Sequence, residues 1–265
     1  MLQQLQLLYL KPVESSTETY SLRAGMIYFY ALRSGRNIFI LTTQQKEDKI
    51  TLLSNESVVN AIRIVNEQLR EAVLRAGKAE FFRCGFEKAT MREIAKAAGV
   101  TTGAVYCYFP NKMALFEEPV AAPAKGLKEE FEAHVAQMDK DMTEDATSYN
   151  QWVPNEPNWL VEYIYENYDA FKLLVCHSCG TSYAHYMDSL VEIEVESTLR
   201  FISYLRAAGL LRREIDEELV HIIASAQFVG IFEPIAHDMS REKAKAHILA
   251  LEEFYSAGWR KILGL

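Results

Sequence analysis

The sequence predicts an all-α protein: a small three-helix head carrying a helix-turn-helix, followed by a larger helical body. Three observations carry that expectation. From Val58 onward, apolar residues recur at three- and four-residue spacing, the period of a helix buried along one face. Two short helical stretches are joined by no more than a tight turn at Gly99, as in a helix-turn-helix. The charge divides to match. Residues 58–116 carry nine Lys/Arg and five Asp/Glu, whereas residues 117–265 carry thirteen and twenty-six. A basic module of net +4 thus precedes an acidic one of net −13.

The chain has 265 residues, 49% apolar and 24% charged, an ordinary globular mix that argues against a disordered or collagen-like chain. Its apolar runs fall short of the ~20 residues a bilayer helix needs, so no membrane partner is expected. Four cysteines are too few for a disulfide scaffold, which makes the cytoplasm the default compartment. The overall net charge of −8 argues against a nucleic-acid partner only until it is resolved along the chain.

Residues 1–57 stand apart from the helical pattern. Met26-Ile-Tyr-Phe-Tyr30 and Asn37-Ile-Phe-Ile-Leu-Thr42 have the composition of short strands, but two or three isolated strands bury too little surface to persist alone. The segment makes a poor secretory signal. It reads as an N-terminal extension, disordered or not part of the fold, with a true start at a valine codon such as that of Val65 as one account. A real N-terminal arm is the other.

The head is read over residues 58–116. Val58, Ile62, Val65, Leu69, Val73, Ala76, Ala79 and Phe82 make the apolar face of a first helix ending near Gly85. Thr90-Met-Arg-Glu93 is a capping box opening the second, which Gly99 stops. The third starts at Thr101 or Thr102 and ends before Pro110. In a helix-turn-helix the second helix of the pair enters the major groove. Thr101 and Thr102 put hydroxyls and free N–H groups at its N-terminus, which suits a phosphate. Gly103 allows close backbone approach. Val105 and Phe109, four apart, turn into the head's core, leaving Thr102, Ala104, Tyr106 and Cys107 toward the groove. A generic helical hairpin has the same caps, so pattern alone leaves both possibilities open.

Phe81-Phe-Arg-Cys-Gly-Phe86, Thr90-Met-Arg-Glu-Ile-Ala95 and Ala98-Gly-Val-Thr-Thr-Gly-Ala-Val-Tyr-Cys-Tyr-Phe-Pro-Asn-Lys112 together resemble the DNA-binding domain of tetracycline-repressor-like (TetR/AcrR) bacterial regulators. The resemblance covers roughly fifty residues. It implies an all-helical homodimer that binds a double-stranded DNA operator through its heads and a small-molecule effector through its bodies, most simply as a repressor. It also implies that Tyr106 and Lys112 hold phosphates, that Thr102, Gly103 and Ala104 face bases, and that Thr90 sets the second helix on the backbone. Cys107 and Tyr108 stand where that family varies. The family begins just before a helix like 66–84, which again sets residues 1–57 apart.

The body, residues 117–265, is read from its pattern. A loop-like stretch from Met142 to Pro157 precedes an aromatic segment from Trp159 to Cys176, and a long helix follows from about Tyr183 to Ala208. Trp159, Tyr163, Glu166, Phe171, His177, Tyr183 and Tyr186 are the candidate effector contacts, with core packing the plainer account of each aromatic ring. Glu162, Glu166 and Asp169 suit a cationic ligand or simply face water. Asp216 and Ser240 cap two final helices, and Pro234 is expected to kink the first. Ile223, Ala226, Gly230, Leu251, Phe254, Tyr255 and Trp259 are the candidate dimer interface, because both helices carry more apolar surface than one neighbour buries.

Cys176-His-Ser-Cys179 lacks the second ligand pair of a structural zinc site, so neither metal nor cofactor is expected and two buried thiols are the plainer account. No catalytic triad, P-loop or dinucleotide fingerprint occurs, and the chain is not read as an enzyme. Two alternatives stay open: a redox- or metal-sensing regulator acting through Cys176 and Cys179, and a helical dimerisation module without specific DNA binding.

Overall fold

A computed structural model describes residues 19–24, 27–34, 37–43, 51–52, 55–144 and 158–265. The chain divides into two compact units, Met1–Ala72 and Val73–Leu265. The first contains four strands, β1 (Thr19–Ala24), β2 (Ile27–Ser34), β3 (Asn37–Thr43) and β4 (Thr51–Leu52), paired antiparallel in chain order. Ala24 pairs with Ile27 and Ser34 with Asn37. Two residues therefore separate each pair of strand ends, and the sequence puts a glycine first in both connections, the composition a two-residue hairpin favours. The extension set aside from the sequence thus carries a meander, because strands too few to persist alone are here joined four in a row.

From Asn55 on, the described chain is all-α, with nine helices. Helix α1 (Asn55–Lys88) begins in the first unit and ends in the second, interrupted at Gly85, whose φ is 76°. Helices α2 (Met91–Ala98) and α3 (Thr102–Tyr108) form the predicted pair. Gly99 ends α2 at φ 70°, a left-handed conformation that bulkier residues adopt at a cost. Phe81, Met91, Ile94, Val105, Phe109 and Phe116 close the head's core, with Phe81 and Phe116 edge to face at 5.2 Å.

The body comprises α4 (Lys112–Glu144), α5 (Asn158–Glu166), α6 (Tyr168–Cys176), α7 (Tyr186–Ala207), α8 (Glu217–Ala236) and α9 (Arg241–Leu263). The loop expected after Met142 lies, from residue 145 to 157, outside the described residues. Asp216 and Ser240 cap α8 and α9 as expected, accepting from the amides of Leu219 and Lys243. Pro234 lies in the last turn of α8, where little helix is left for it to interrupt. The apolar count of α8 corrects the sequence estimate. This 20-residue helix holds an 18-residue window of mean hydropathy 1.6, enough in length and composition to cross a membrane. The run passes unnoticed because Ala, Ser and Gly break it up. One side of α8 is packed in the core through Val220, Phe228, Ile231, Phe232 and Ile235, while Ile222 and Val229 lie exposed on the other.

Helix α4 contains Pro119 and Pro123. Each lacks the amide that would bond to the carbonyl four residues earlier. Side chains from two other helices hold the turn that follows: the Tyr163 hydroxyl donates to the Pro123 carbonyl at 3.2 Å, and that of Tyr186 to the Ala124 carbonyl at 2.9 Å. Gly126 makes room for the first of these. A Cβ at that position would lie 2.1 Å from the Tyr163 hydroxyl oxygen. Gly126→Ala is therefore expected to cost about 1–3 kcal/mol of stability by overpacking. Adding Tyr163→Phe should restore part of the loss in urea unfolding, since it removes the clashing oxygen.

Candidate functional site

The exposed end of the head is built from two helix starts. The Thr90 Oγ1 accepts the Glu93 amide and the Thr101 Oγ1 accepts the Ala104 amide, both at 3.2 Å. These caps satisfy one amide each, and the remaining first-turn amides stay available to an anion. Thr90, Thr101, Gly103, Tyr106 and Cys107 are exposed, and Thr102 and Ala104 half-buried, while Val105 and Phe109 are buried. The four-residue spacing predicts Val105 and Phe109 inside and Tyr106 and Cys107 outside, whereas Thr102 and Ala104, expected outside with them, are half-buried. Tyr106 leaves half its surface, 50%, in solvent. A tyrosine held outside the core on a two-turn helix is available to a partner. Cys107 turns its thiol back to the Gly103 carbonyl at 3.4 Å.

Two residues named from the resemblance sit differently. Tyr108 is half-buried and packs against the head's core, and burial pushes its phenol above the ordinary range. Lys112 is the larger correction. Its ammonium donates to the carbonyls of Phe86, Glu87 and Ala89 at 2.6, 3.2 and 3.0 Å, and lies 4.3 Å from the centre of the Phe86 ring. An ammonium has three protons to donate, and all three are spent on backbone. Lys112 therefore clamps the end of α1 to the start of α4. Arg92, exposed in the first turn of α2 and only 3.7 Å from Glu93, is a cation that the sequence reading passed over. Its position two residues after the Thr90 cap was the available signal.

The clamped turn is also gripped from the body. The Phe86 amide donates to the His177 carbonyl at 3.1 Å, and the His177 ring stands edge-on to Phe82 at 5.8 Å. Lys78 of α1 pairs with Asp169 of α6 at 2.5 Å. Gly180 lies so close that a Cβ there would meet the Glu87 side chain at 2.8 Å. Burial, with Lys172 nearby, holds His177 below its usual value, which keeps the ring neutral at pH 7. His177 thus belongs to a seam between head and body rather than to a cavity. Tyr183, 6.5 Å from Phe116, is at the same seam. Cys176 and Cys179, expected as buried thiols, are free and exposed on either side of it.

The other candidate effector residues scatter. Trp159 stacks on His134 at 4.3 Å, Phe171 is fully buried in the core, and Glu166 faces solvent. Tyr163 and Tyr186 hold α4, as described above. Glu162 is engaged by Arg241 and Lys245, which draw its carboxyl below the ordinary range. Of the three carboxylates suggested for a cationic ligand, two are paired and one is solvated.

Along α8 and α9 the candidate interface residues fall on a largely uncovered face. Ala226 and Phe254 are exposed, the latter by 70%, and Ile223, Gly230, Leu251, Tyr255 and Trp259 are half-buried. Ile222, Val229 and Leu249, not named from the sequence, are exposed on the same two helices. A Cβ on Gly230 would come within 3.1 Å of Leu251, so the glycine sets how closely the helices approach. Beside it an open groove of about 420 Å³ is lined by Glu233, Met239, His247 and Leu251 among others.

Residues 73–118 match the family model of bacterial regulatory proteins, tetR family. The chain is 36% identical over 72 residues to the HTH-type transcriptional repressor BepR of Brucella suis, covering 27% of this chain and 34% of that one. It is 43% identical over 49 residues to an Escherichia coli K12 protein named as the acrEF/envCD operon repressor, covering 18% and 22%. The chain thus spans about a third or less of the length of these relatives. Among solved structures it is similar to NalD, the secondary repressor of the MexAB-OprM multidrug efflux pump in Pseudomonas aeruginosa. That match has a TM-score of 0.40 and 18% identity, and covers 70% of this chain and 94% of that one.

Removing the Lys112 ammonium leaves three carbonyls short of a donor. Lys112→Ala is expected to lower stability by about 2–3 kcal/mol, the scale of hydrogen bonds from a charged donor, measured as a fall in the urea midpoint. A variant as stable as the parent that binds DNA more weakly would instead assign Lys112 to phosphate.

Proposed function

We propose that the chain, through its segment 73–118, is a member of the tetR family of bacterial regulatory proteins and an effector-responsive transcriptional repressor acting as a homodimer. The observation that carries this is the pair of capped helix starts with Thr101, Gly103 and Tyr106 exposed and Thr102 half-buried beside them. Helix α3 enters the major groove, with Thr102, Gly103 and Ala104 at base edges. Tyr106, Arg92 and the first-turn amides of α2 and α3 hold phosphates. The basic head supplies electrostatic attraction, and the acidic body keeps the rest of the chain off the duplex.

The dimer reading is supported by α8. A helix apolar on all sides is expected to be covered on all sides, yet Ile222 and Val229 are 62% and 59% exposed in the single chain. Pairing α8 and α9 with the same helices of a second copy covers Ile222, Val229 and Phe254 and closes under a two-fold axis. Two recognition helices are then set for successive major grooves, about 34–36 Å apart.

An effector in the body acts through the seam. Any shift of the α6 end is carried by the His177 carbonyl to the Phe86 amide and so to the turn that Lys112 clamps. For this to regulate, the effector must bind the DNA-competent and incompetent arrangements with different affinity, and DNA must weaken effector binding reciprocally.

The head is tested by comparing variants on operator and on random DNA. Tyr106→Phe is expected to weaken both about equally, by up to tenfold for one lost phosphate contact. Thr102→Val should reduce the operator preference while leaving random DNA little changed, on the scale of about 1–3 kcal/mol per base position. Equal loss on both DNAs from Thr102→Val counts against base reading by that residue.

A further inference from the structure

Helix α9 buries one side and shows the other. Ala244, Ile248, Glu252, Trp259 and Leu263 fall within about 100° of one another around its axis. Ala244, Ile248 and Leu263 are buried, and Trp259 packs on the core. Phe254, two residues after Glu252, is turned about 200° away and stands exposed. Glu252 is thus an acid in a line of buried residues. Its side chain is half-buried, and its Oε2 oxygen is sealed from solvent with no hydrogen-bond partner. Among the described residues no other side-chain oxygen or nitrogen is left so.

A carboxylate in that position loses its water and gains nothing in exchange. Helix α9 packs chiefly on α5 and α8, and the titratable groups of all three helices are engaged elsewhere or face water. On α5, Arg241 and Lys245 hold Glu162, and Glu166 is exposed. The hydroxyls of Tyr163 and Tyr165 donate to the Pro123 and Met239 carbonyls. On α8, Glu217, Glu218 and His221 are exposed, and Glu233 pairs with His237. On α9 itself His247, Glu253 and Arg260 are exposed, and Tyr255 stands edge-on to Phe254. None of these groups draws the charge on Glu252 back into reach. Burial alone acts on its carboxyl and pushes its titration up to about 7.

We propose that Glu252 makes the seating of α9 depend on a proton: protonated, it stays within the body and keeps α9 against α5 and α8, and ionised, it draws α9 toward water and weakens the dimer that α9 helps to build. The second half rests on the homodimer reading. A carboxyl that holds its proton more firmly in the folded chain than in the unfolded one adds stability at low pH. That stability is lost as the pH rises from about 4.5 to about 7. Above this window the folded chain bears the full cost of an ionised acid without a partner, and outward movement of α9 relieves it.

The test compares the full chain with Glu252→Gln, which keeps the shape and abolishes the titration, by urea unfolding at about pH 5 and about pH 8. Between the two the folding constant of the unaltered chain is expected to fall at least about tenfold further than that of the variant. Glu194 also titrates upward through burial, so the difference between the two chains is what counts. Glu252→Leu, which continues the buried line, should be more stable than the unaltered chain at the higher pH. Sedimentation reads the dimer, whose dissociation constant should rise with pH in the unaltered chain and stay level in Glu252→Gln. Parallel urea profiles, or a dimer equally sensitive to pH with and without Glu252, overturn the proposal. If Glu252→Gln folds poorly, carbon-13 NMR of the glutamate-labelled chain decides. A carboxyl titrating near neutrality that is lost in Glu252→Leu supports the proposal, and the absence of any such signal overturns it. A chain that is monomeric at both pH values removes the homodimer reading, and the urea profiles then decide the seating of α9 by themselves.

Discussion

The orientation of the head depends on one turn, Phe86–Ala89, and on the ammonium that holds it. Lys112 donates to three carbonyls of that turn from the first residue of α4, so the end of α1 and the start of α4 form one joint. Helices α2 and α3 lie between those two points in the chain. Whatever α3 presents to a partner is presented relative to this joint. The body meets the same turn at His177 and Gly180 and holds α1 ahead of it through the Lys78–Asp169 pair. Charge-assisted hydrogen bonds and an edge-on ring contact make this a stiff connection. A stiff connection is what a displacement in the body needs if it is to reach α3.

The body shows a second kind of constraint. Two prolines weaken the hydrogen-bond ladder of α4, and two tyrosines from α5 and α7 secure the turn behind them. Burial raises the phenols of Tyr163 and Tyr186, so both remain neutral donors at physiological pH. Coupling between body and head through α4 requires that this helix have two arrangements that an effector distinguishes.

Features written in local sequence were legible. Thr90, Thr101, Asp216 and Ser240 are caps because a short polar side chain precedes a helical period, and Gly99 is a stop because it follows one. Spacing alone placed Val105 and Phe109 inside and Tyr106 outside. Partners across the fold were not legible. Lys112 is a basic residue near a helix-turn-helix, and nothing local distinguishes a lysine aimed at phosphate from one spent on carbonyls 23–26 residues away. Tyr163 and Tyr186 carry an aromatic signal that fits a cavity wall as well as a helix pin. The strand composition at residues 26–30 and 37–42 was legible, but not their pairing into four strands, because that depends on joining them together rather than on any one.

The central claim is that α3 reads a specific DNA sequence as one of a pair. The most direct measurement is fluorescence anisotropy of the purified full chain on DNA from its own upstream region and on scrambled DNA, at about 150 mM salt because affinity without stated salt has no meaning. The account predicts saturation at two chains per site, with the upstream DNA bound at least about a thousandfold more tightly than the scrambled control. If genome-wide selection of bound fragments also yields no preferred sequence, equal and weak binding to both DNAs contradicts it and leaves a helical module whose head no longer reads.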